Sequence, residues 1–338
     1  MEYHLKASHL RMPANSSVSF NKPRRVEAPI LKVQGKVIRT KDELSQYPIK
    51  RDGRTQVSYQ ITNDPFRRYG MLDLSGYREK PHLSASSVAD YIDCGLLFKF
   101  SRIDKIKPEF KPDAVELGSA IHFTLAEFNH TRRGGKRLPL KEIHTLFEGF
   151  WRDIARDNPE IRYSEDKNFE TLLREGKELL TVWYSRLPDN EFKVIGVEKP
   201  FLLALPGLPI PIIGYIDLIE EDESGTVIVT DSKTAGRSYS AEEVDRNLQL
   251  TIYHFATKAM GYRDREILLK FDCLIKTKTP KFEQFYTSRG EIEEKRVVRK
   301  MQEVWRGIEK EVFIPNDGHW KCKNCGYKKD CDEFLEGG

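Results

Sequence analysis

Two short apolar segments joined by a turn constrain the fold of this chain more than any other feature. Residues 211–219 and 226–230 are rich in Ile and Val, and an Asp-Glu-Ser-Gly sequence at 222–225 separates them. β-Branched segments on either side of such a turn predict a β-hairpin. Antiparallel pairing about this turn places Asp217 on one strand beside Asp231 at the end of the other.

The residues brought together by this hairpin are suited to metal-dependent hydrolysis of a phosphodiester. The carboxylates of Asp217 and Asp231 can hold Mg²⁺, and Lys233, two residues beyond Asp231 on the same face, can orient or activate water. Burial would assist that role if it lowered the pKa of the lysine. The alternative is a surface hairpin whose charges are only solvated, because Asp-x-Lys alone is too short a motif to be specific.

A helical pattern precedes the hairpin in the sequence. Residues 117–128 place Ile121, Leu125 and Phe128 on one face of a helix. His122 lies beside this apolar stripe, where a single histidine has a structural role more often than it binds a ligand. The residue is therefore a candidate ligand only in combination with other motifs.

A second helical pattern follows the hairpin. Ser240 with Glu243 is an N-cap signal, and we expect the helix that begins there to run to about Met260. Gln249 and Tyr253 are four residues apart and so share one face of that helix. Ordinary amphipathic patterning is the alternative explanation of this pair.

In chain order these pieces are Gly-x3-His, Gly-x2-Asp, Asp-x-Lys and Gln-x3-Tyr, and as a set they resemble the PD-(D/E)XK nuclease superfamily, specifically its RecB-like exonuclease branch. The resemblance covers roughly residues 81–334. It implies an α/β fold with a restriction-endonuclease-like αβββαβ core. The segments that match this core are a helix at 117, strands near 192–203, 211–219 and 226–230, the helix at Ser240, and a strand at 267–275.

The resemblance also implies a set of metal ligands. Carried over position by position, it makes His122, Asp217 and Asp231 ligands of Mg²⁺ or Mn²⁺, with the backbone carbonyl of Ser232 as a further ligand. Glu198 matches the glutamate that this branch often carries on the preceding strand, and we count it among the catalytic residues.

The remaining motif positions are expected to act on the substrate. The resemblance makes Lys233 the catalytic lysine and implies that Gln249 and Tyr253 contact DNA near the scissile phosphate. No catalytic position departs from the family pattern, which argues against an inactive relative. The implied function is a Mg²⁺- or Mn²⁺-dependent deoxyribonuclease, an exonuclease on single-stranded DNA or duplex ends, acting alone or beside a helicase or integrase.

The cysteines are a second, independent signal. Cys322, Cys325 and Cys331 form a C-x2-C-x5-C motif, and Cys94 lies far upstream. This pattern resembles that of AddB-type and CRISPR-adaptation exonucleases, in which four such thiolates hold a 4Fe–4S cluster. The fifth cysteine, Cys273, lies in an apolar strand segment, where we expect it to act as a small hydrophobic residue.

Two other arrangements of these cysteines remain open. A zinc site could use His319, Cys322, Cys325 and Cys331, although that leaves Cys94 unexplained. Disulfides are the other alternative, but nothing in the sequence indicates an oxidising compartment. Gly95, which follows the first cysteine where the family usually has proline, alters a turn and no ligand.

Charge is distributed unevenly along the chain. The net charge of the 338 residues is +4, yet the segment ending at Lys80 holds sixteen Lys and Arg against eight Asp and Glu. We expect residues 1–75 to form a basic extension, which is either a solvated tail or an arm that contacts DNA or a partner. Residues 76–338 are then the nuclease domain, with a helical insertion at about 138–188 and the cysteine motif at 319–334.

Several other classes of protein are not favoured. No apolar run is long enough to span a bilayer and residues 1–6 lack a signal-peptide core, so we expect a cytoplasmic protein without a membrane partner. The sequence at 134–137 is not a Walker A motif. Two alternative functions remain: a non-cleaving nucleic-acid-binding subunit of a recombination, repair or CRISPR complex, and a zinc-stabilised interaction protein.

Overall fold

The computed structural model describes residues 31–33, 36–38, 74–188, 192–318 and 320–337. The chain divides into two units, Met1–Ser58 and Tyr59–Gly338. In the first unit, strands β1 (Leu31–Val33) and β2 (Lys36–Ile38) pair as an antiparallel hairpin. The basic extension predicted at 1–75 otherwise lies almost wholly outside the described residues.

All remaining elements belong to the second unit. Its strands are β3 (Lys111–Pro112), β4 (Ile161–Arg162), β5 (Lys193–Leu203), β6 (Ile212–Glu221), β7 (Val227–Ala235), β8 (Ile267–Ile275) and β9 (Lys281–Thr287). Its helices are α1 (Ser75–Arg78), α2 (Ala85–Asp93), α3 (Gly95–Phe98), α4 (Asp113–Arg133), α5 (Leu140–Ala155), α6 (Phe169–Tyr184), α7 (Ala241–Asp245), α8 (Leu248–Thr257), α9 (Glu291–Glu309) and α10 (Lys328–Leu335). The segments Lys99–Ile103 and Lys258–Tyr262 are π-helical, and Trp320–Asn324 is a 3₁₀ turn.

A five-stranded mixed sheet forms the centre of this unit. Its strand order is β5-β6-β7-β8-β9, and neighbouring strands are antiparallel except for the parallel pair β7–β8. The strands predicted near 192–203, 211–219, 226–230 and 267–275 are present as β5 to β8. The prediction of a mixed α/β fold is confirmed, and β9 extends the sheet beyond the predicted core.

The observed hairpin strands are longer than the predicted ones. The apolar pattern stops at Thr230, but β7 continues to Ala235 because it pairs with β8 as far as Ile275. Asp231 and Lys233 therefore lie within a strand and not just after it.

Helices cover both faces of the sheet, and the two larger of the three hydrophobic clusters found among the described residues lie beneath them. The larger core joins the sheet to α8 and α9, with Phe271 and Met301 fully buried in it. The second core lies between α4, α5 and α6, where Phe128, Phe147 and Trp151 are fully buried. The helix that carries His122 is thus held by packing on residues that follow it in the chain.

The prediction of one continuous helix from Ser240 to about Met260 is wrong. The chain leaves helical geometry after Asp245 and begins α8 at Leu248, with the side chain of Asn247 accepting a hydrogen bond from Leu250 N at 3.0 Å. The buried guanidinium of Arg289 donates to Val244 O at 2.8 Å, which satisfies a carbonyl at the end of α7. The break separates α7 from α8, the helix that carries Gln249 and Tyr253.

None of the helices that the structure describes combines the length and the apolar character needed to span a bilayer.

Candidate active site

The register of the sheet brings acidic residues of three strands together. Strands β5 and β6 pair on both sides of Glu198 and Asp217, so these two residues lie opposite each other. The β6–β7 ladder ends at Leu218 and Thr230, and the next residues in register are Asp217 and Asp231. The strand pairing therefore places Asp217 beside Asp231, as the sequence of the hairpin predicts.

His122 of α4 completes a compact group of possible metal ligands. Its Nε2 lies 2.9 Å from Glu198 Oε1, and its Nδ1 lies 3.5 Å from Asp217 Oδ2. One ligand atom from each of these three residues lies within 4.8 Å of the other two, and no other His, Cys, Asp and Glu group among the described residues meets this limit. One imidazole nitrogen with carboxylate oxygens is a donor set that suits Mn²⁺, and the carboxylates suit Mg²⁺.

Asp231 lies beside this group and not within it. It is 1% exposed, and burial and the charge of Asp217 raise its pKa to about 6, against the opposing effect of Lys233. Its Oδ2 forms an ion pair with Lys233 Nζ at 2.7 Å, yet no group reaches this oxygen with the geometry of a hydrogen bond. A buried carboxylate oxygen with spare acceptor capacity fits a cation ligand.

The neighbouring carboxylates determine the protonation of the histidine. Burial disfavours the imidazolium, but Asp217 and Glu198 outweigh burial and raise the pKa of His122 to about 10. Without a cation, the site therefore holds a proton on His122 between two carboxylates. A divalent cation that binds the same three side chains has to displace that proton.

Lys233 begins a chain of hydrogen bonds that leads back to a carboxylate of the site. Its Nζ donates to Gln249 Oε1 at 2.7 Å, and Gln249 Nε2 donates to Tyr253 OH at 2.8 Å. The Tyr253 hydroxyl lies 3.5 Å from Asp217 Oδ1, and Ser232 N donates to the other oxygen of Asp217 at 2.9 Å. Gln249 and Tyr253 thus fix the positions of the lysine and of one candidate ligand.

Burial and the neighbouring Asp231 act on the pKa of Lys233 in opposite directions. Burial alone would lower its pKa, but the Asp231 carboxylate outweighs burial and raises it. Burial therefore does not lower the pKa of this lysine in the site without a cation, and the lysine stays protonated beside Asp231.

Glu198 has an unusual backbone conformation. Its φ is +45°, in the left-handed region that side chains other than glycine seldom adopt, although it lies within β5. The residue is 4% exposed and contacts His122 through Oε1. Strained residues of this kind persist where the surroundings hold them, frequently at functional sites.

The glycine of Gly-x2-Asp has a packing role. A Cβ at Gly214 would lie 2.7 Å from Cζ of Phe201, a buried ring on the neighbouring strand. The Phe201 ring packs edge-on against Tyr253 with centroids 6.0 Å apart. Gly214 therefore allows the contact that seats Tyr253 beside Asp217.

Tyr239 is a residue near the site that the sequence analysis does not select. It follows β7 in a loop, and its ring lies 5.3 Å from that of Phe271, next to Lys233. Burial raises its pKa, and the charge of Lys233 opposes this effect. No periodic pattern marks this tyrosine, so only its spatial proximity to Lys233 identifies it.

The four predicted cluster cysteines line one cavity of about 60 Å³. Cys94 separates α2 from α3 and accepts a hydrogen bond from Leu97 N at 3.5 Å, whereas Cys322, Cys325 and Cys331 come from the C-terminal segment. No three of these sulfurs lie within 4.8 Å of one another. His319, the nitrogen ligand of the zinc alternative, lies outside the described residues. Cys273 is fully buried on β8, as expected of a small hydrophobic residue.

Comparison with known proteins gives a family match over most of the chain. The model of the PD-(D/E)XK nuclease superfamily matches residues 82–332. Similar solved structures include a protein from Eubacterium rectale named "Putative exonuclease", with a TM-score of 0.47 and 11% identity over 80% of this chain and 94% of that one. The protein SSO0001 has a TM-score of 0.30 and 15% identity, over 72% and 90% of the two chains. A search of curated proteins gives no match.

Proposed function

The chain belongs to the PD-(D/E)XK nuclease superfamily, and we propose that it is a Mg²⁺- or Mn²⁺-dependent deoxyribonuclease. We assign it to exonucleases that act on single-stranded DNA or duplex ends. The observation that carries the proposal is the group formed by His122, Glu198 and Asp217, with the ion pair of Asp231 and Lys233 beside it. Removing charged groups of both signs from water costs free energy. Such a cost is expected at a catalytic site that binds a metal ion.

The donor set supports metal binding in this site. His122, Asp217 and Asp231 would hold the cation, with Glu198 as a further direct or water-mediated ligand. The carbonyl of Ser232 stays a predicted ligand. When bound, a divalent cation would polarise the scissile phosphate and lower the pKa of a water molecule.

The protein side chains position the other reactants. Lys233 Nζ, held between Asp231 and Gln249, is placed to orient the attacking water. Tyr253 is 4% exposed, so it acts through Asp217 and Gln249 more than through contact with DNA. Gln249 is less buried and can contact a phosphate as well as the lysine.

We assign the four-cysteine cavity to a 4Fe–4S cluster. Cys94 and the three cysteines of the C-terminal motif line the same cavity. The zinc alternative does not explain the presence of Cys94 there. A cluster at this place would connect two segments more than two hundred residues apart in sequence. Its role is then to stabilise the domain, since the thiolates belong to elements that contribute no ligand to the Mg²⁺ or Mn²⁺ site.

Two other functions compete with this proposal. A non-cleaving nucleic-acid-binding subunit of a recombination, repair or CRISPR complex has no need of the Asp231–Lys233 ion pair next to three further candidate ligands. A zinc-stabilised interaction protein rests on His319 alone. The broader settings that the resemblance suggests are DNA repair, recombination and CRISPR adaptation in the cytoplasm.

Cleavage of end-labelled DNA tests the proposal. Protein purified without oxygen would be incubated with single-stranded and duplex DNA labelled at the 5′ or the 3′ end, with Mg²⁺, Mn²⁺ or a chelator. We expect products only with a divalent cation, and the label released first gives the polarity. DNA binding without cation-dependent cleavage of any of these substrates would favour the non-cleaving subunit.

A further inference from the structure

The loop between β8 and β9 concentrates positive charge next to the candidate active site. We use the name lysine loop for residues 276–281, which are the five residues between the two strands and the first residue of β9. They read Lys-Thr-Lys-Thr-Pro-Lys, so that three of the six residues are lysine. Lys276 N donates to Ala235 O at 2.7 Å, and Thr277 Oγ1 donates to Thr279 O at 2.7 Å. The first bond fixes the start of the loop to the last residue of the strand that carries Asp231.

Strand direction places the lysine loop at the edge of the sheet beyond the catalytic residues. Strands β7 and β8 are parallel, and Lys233 pairs with Cys273 in their ladder. Lys276 is three residues beyond Cys273 on β8, which corresponds to about 10 Å along the strand. The neighbouring strand β7, which carries Lys233, lies about 4.8 Å to the side. Measured along the axis of a duplex, about 10 Å corresponds to the rise of about three phosphates on one strand, at 3.4 Å each.

No ion pair in the part of the chain that the structure describes involves a lysine of the lysine loop. Neither Lys276, which is partly buried, nor the exposed Lys278 and Lys281 has an ion pair within 4.0 Å among the described residues. Burial lowers the pKa of Lys276, which is the signature of a cation without sufficient compensation. By contrast, Arg237 in the neighbouring loop donates to Glu243 at 3.0 Å.

The carboxylates that face Lys276 already have other partners. Asp113 accepts hydrogen bonds from Ser164 N at 2.8 Å and Ser164 Oγ at 2.9 Å. Glu175 forms an ion pair with Lys167 at 2.6 Å. A partly buried ammonium whose nearest carboxylates are engaged elsewhere is suited to an external anion.

We propose that the lysine loop binds the phosphate backbone of the DNA strand next to the bond that the candidate active site cleaves. This inference rests on the proposed function, since it names the part of the protein that holds the substrate for that site. Lysines bind phosphates as point charges without reading base sequence, so the loop positions the strand and adds no sequence preference. A row of lysines on a short loop fits consecutive phosphates of one strand better than a single small anion.

The test is a binding measurement on the full chain that does not depend on cleavage. The variant Lys276→Gln/Lys278→Gln/Lys281→Gln would be compared with a control of equal charge change, Lys141→Gln/Lys300→Gln/Lys310→Gln, whose lysines are exposed on α5 and at α9. Affinity for labelled single-stranded DNA would be measured in chelator at several salt concentrations. Loss of three phosphate contacts should reduce the magnitude of the slope of the logarithm of the DNA-binding constant against the logarithm of the salt concentration by about 2. The affinity for DNA should fall at least about tenfold. The control variant should keep the slope and the affinity of the wild type.

The possible results separate this inference from the proposed function. A wild-type protein that neither binds nor cleaves DNA contradicts the proposed function itself. If the wild type binds and cleaves DNA but the lysine-loop variant keeps the salt slope of DNA binding, only the inference is overturned. The same result is expected if the loop docks an acidic protein instead of DNA. An equal loss in the control also overturns it, because the effect would then be one of overall charge. Circular dichroism of both variants establishes that they are folded.

Discussion

In the candidate active site, the buried charge lies on a few side chains, among them Glu198 and Asp231. Glu198 keeps a left-handed backbone within a strand, and His122 holds a proton that neighbouring carboxylates stabilise. The left-handed backbone of Glu198 costs free energy, whereas the proton on His122 balances the charge of the carboxylates until a cation replaces it. The site is therefore organised for a ligand that the side chains alone do not supply.

Proton release is the first testable consequence at this scale. Because the pKa of His122 is raised to about 10, its imidazole is protonated at about pH 8 and must lose that proton to bind a cation. Asp231, with a pKa raised to about 6, is already ionised there. Mn²⁺ affinity should rise with pH up to about 10, with about one proton released per ion at about pH 8.

Calorimetry in two buffers of different ionisation enthalpy measures this proton release. The variant His122→Asn should bind Mn²⁺ more weakly and release almost no proton. Binding by the wild type without proton release would show that His122 is not a ligand.

At the scale of elements, the close contact between α5 and α6 gives a prediction about stability. A Cβ at Gly176 would lie 2.0 Å from Cζ of Phe147, which is fully buried and cannot move aside. Gly176→Ala should therefore destabilise the fold by about 1–3 kcal/mol, although alanine favours a helix.

Gly149 on α5 provides the matched control, since nothing lies within 4 Å of a Cβ added there. Gly149→Ala should be neutral or stabilise the protein by up to about 1 kcal/mol. Urea unfolding of both variants measures the difference, and equal effects would contradict the packing of these two helices.

The elements also show what the sequence could and could not predict. Apolar alternation and turn residues predicted β5 to β8, because these signals are local. The break between α7 and α8 was missed because Arg289, more than forty residues later, supplies hydrogen bonds to Val244 O and Thr251 Oγ1. The lengthened β7 was missed for the same reason, since its last residues pair with β8.

The candidate site was predictable to a similar extent. Motif order indicated which residues to consider, and strand register placed Asp217 beside Asp231 as expected. The chain of hydrogen bonds from Lys233 to Tyr253, the strain at Glu198 and the position of Tyr239 depend on side-chain packing, which sequence patterns do not encode.

At the scale of the whole molecule, one cavity is lined both by Cys94, near the beginning of the nuclease region, and by three cysteines near its end. If Cys94 and the C-terminal motif hold a 4Fe–4S cluster, the fresh protein should be brown and contain iron and acid-labile sulfide. Cys94→Ser should remove the colour and lower the melting temperature, because both segments are then released.

Two control variants separate the metal models. Cys273→Ala should keep the colour, since this buried cysteine lies on β8. His319→Ala should also keep it under the cluster model. A colourless protein with stoichiometric zinc that is lost in His319→Ala and retained in Cys94→Ser would contradict the cluster.

The basic N-terminal unit gives a further prediction at this scale. Residues 1–58 contain twelve Lys and Arg against five Asp and Glu. If they contact DNA, their deletion should weaken DNA binding and flatten its salt dependence. Filter binding at several salt concentrations measures this, and an unchanged slope would leave partner docking or a solvated tail as their role.

The most direct test of the central claim compares cleavage of labelled DNA by wild type, Asp231→Ala and Lys233→Ala in Mn²⁺. The account predicts that both variants stay folded but lose cleavage, and that Lys233→Ala still binds Mn²⁺, because the lysine acts on water and not as a ligand. Cleavage at the wild-type rate by either variant would contradict the assignment of this site as the nuclease centre.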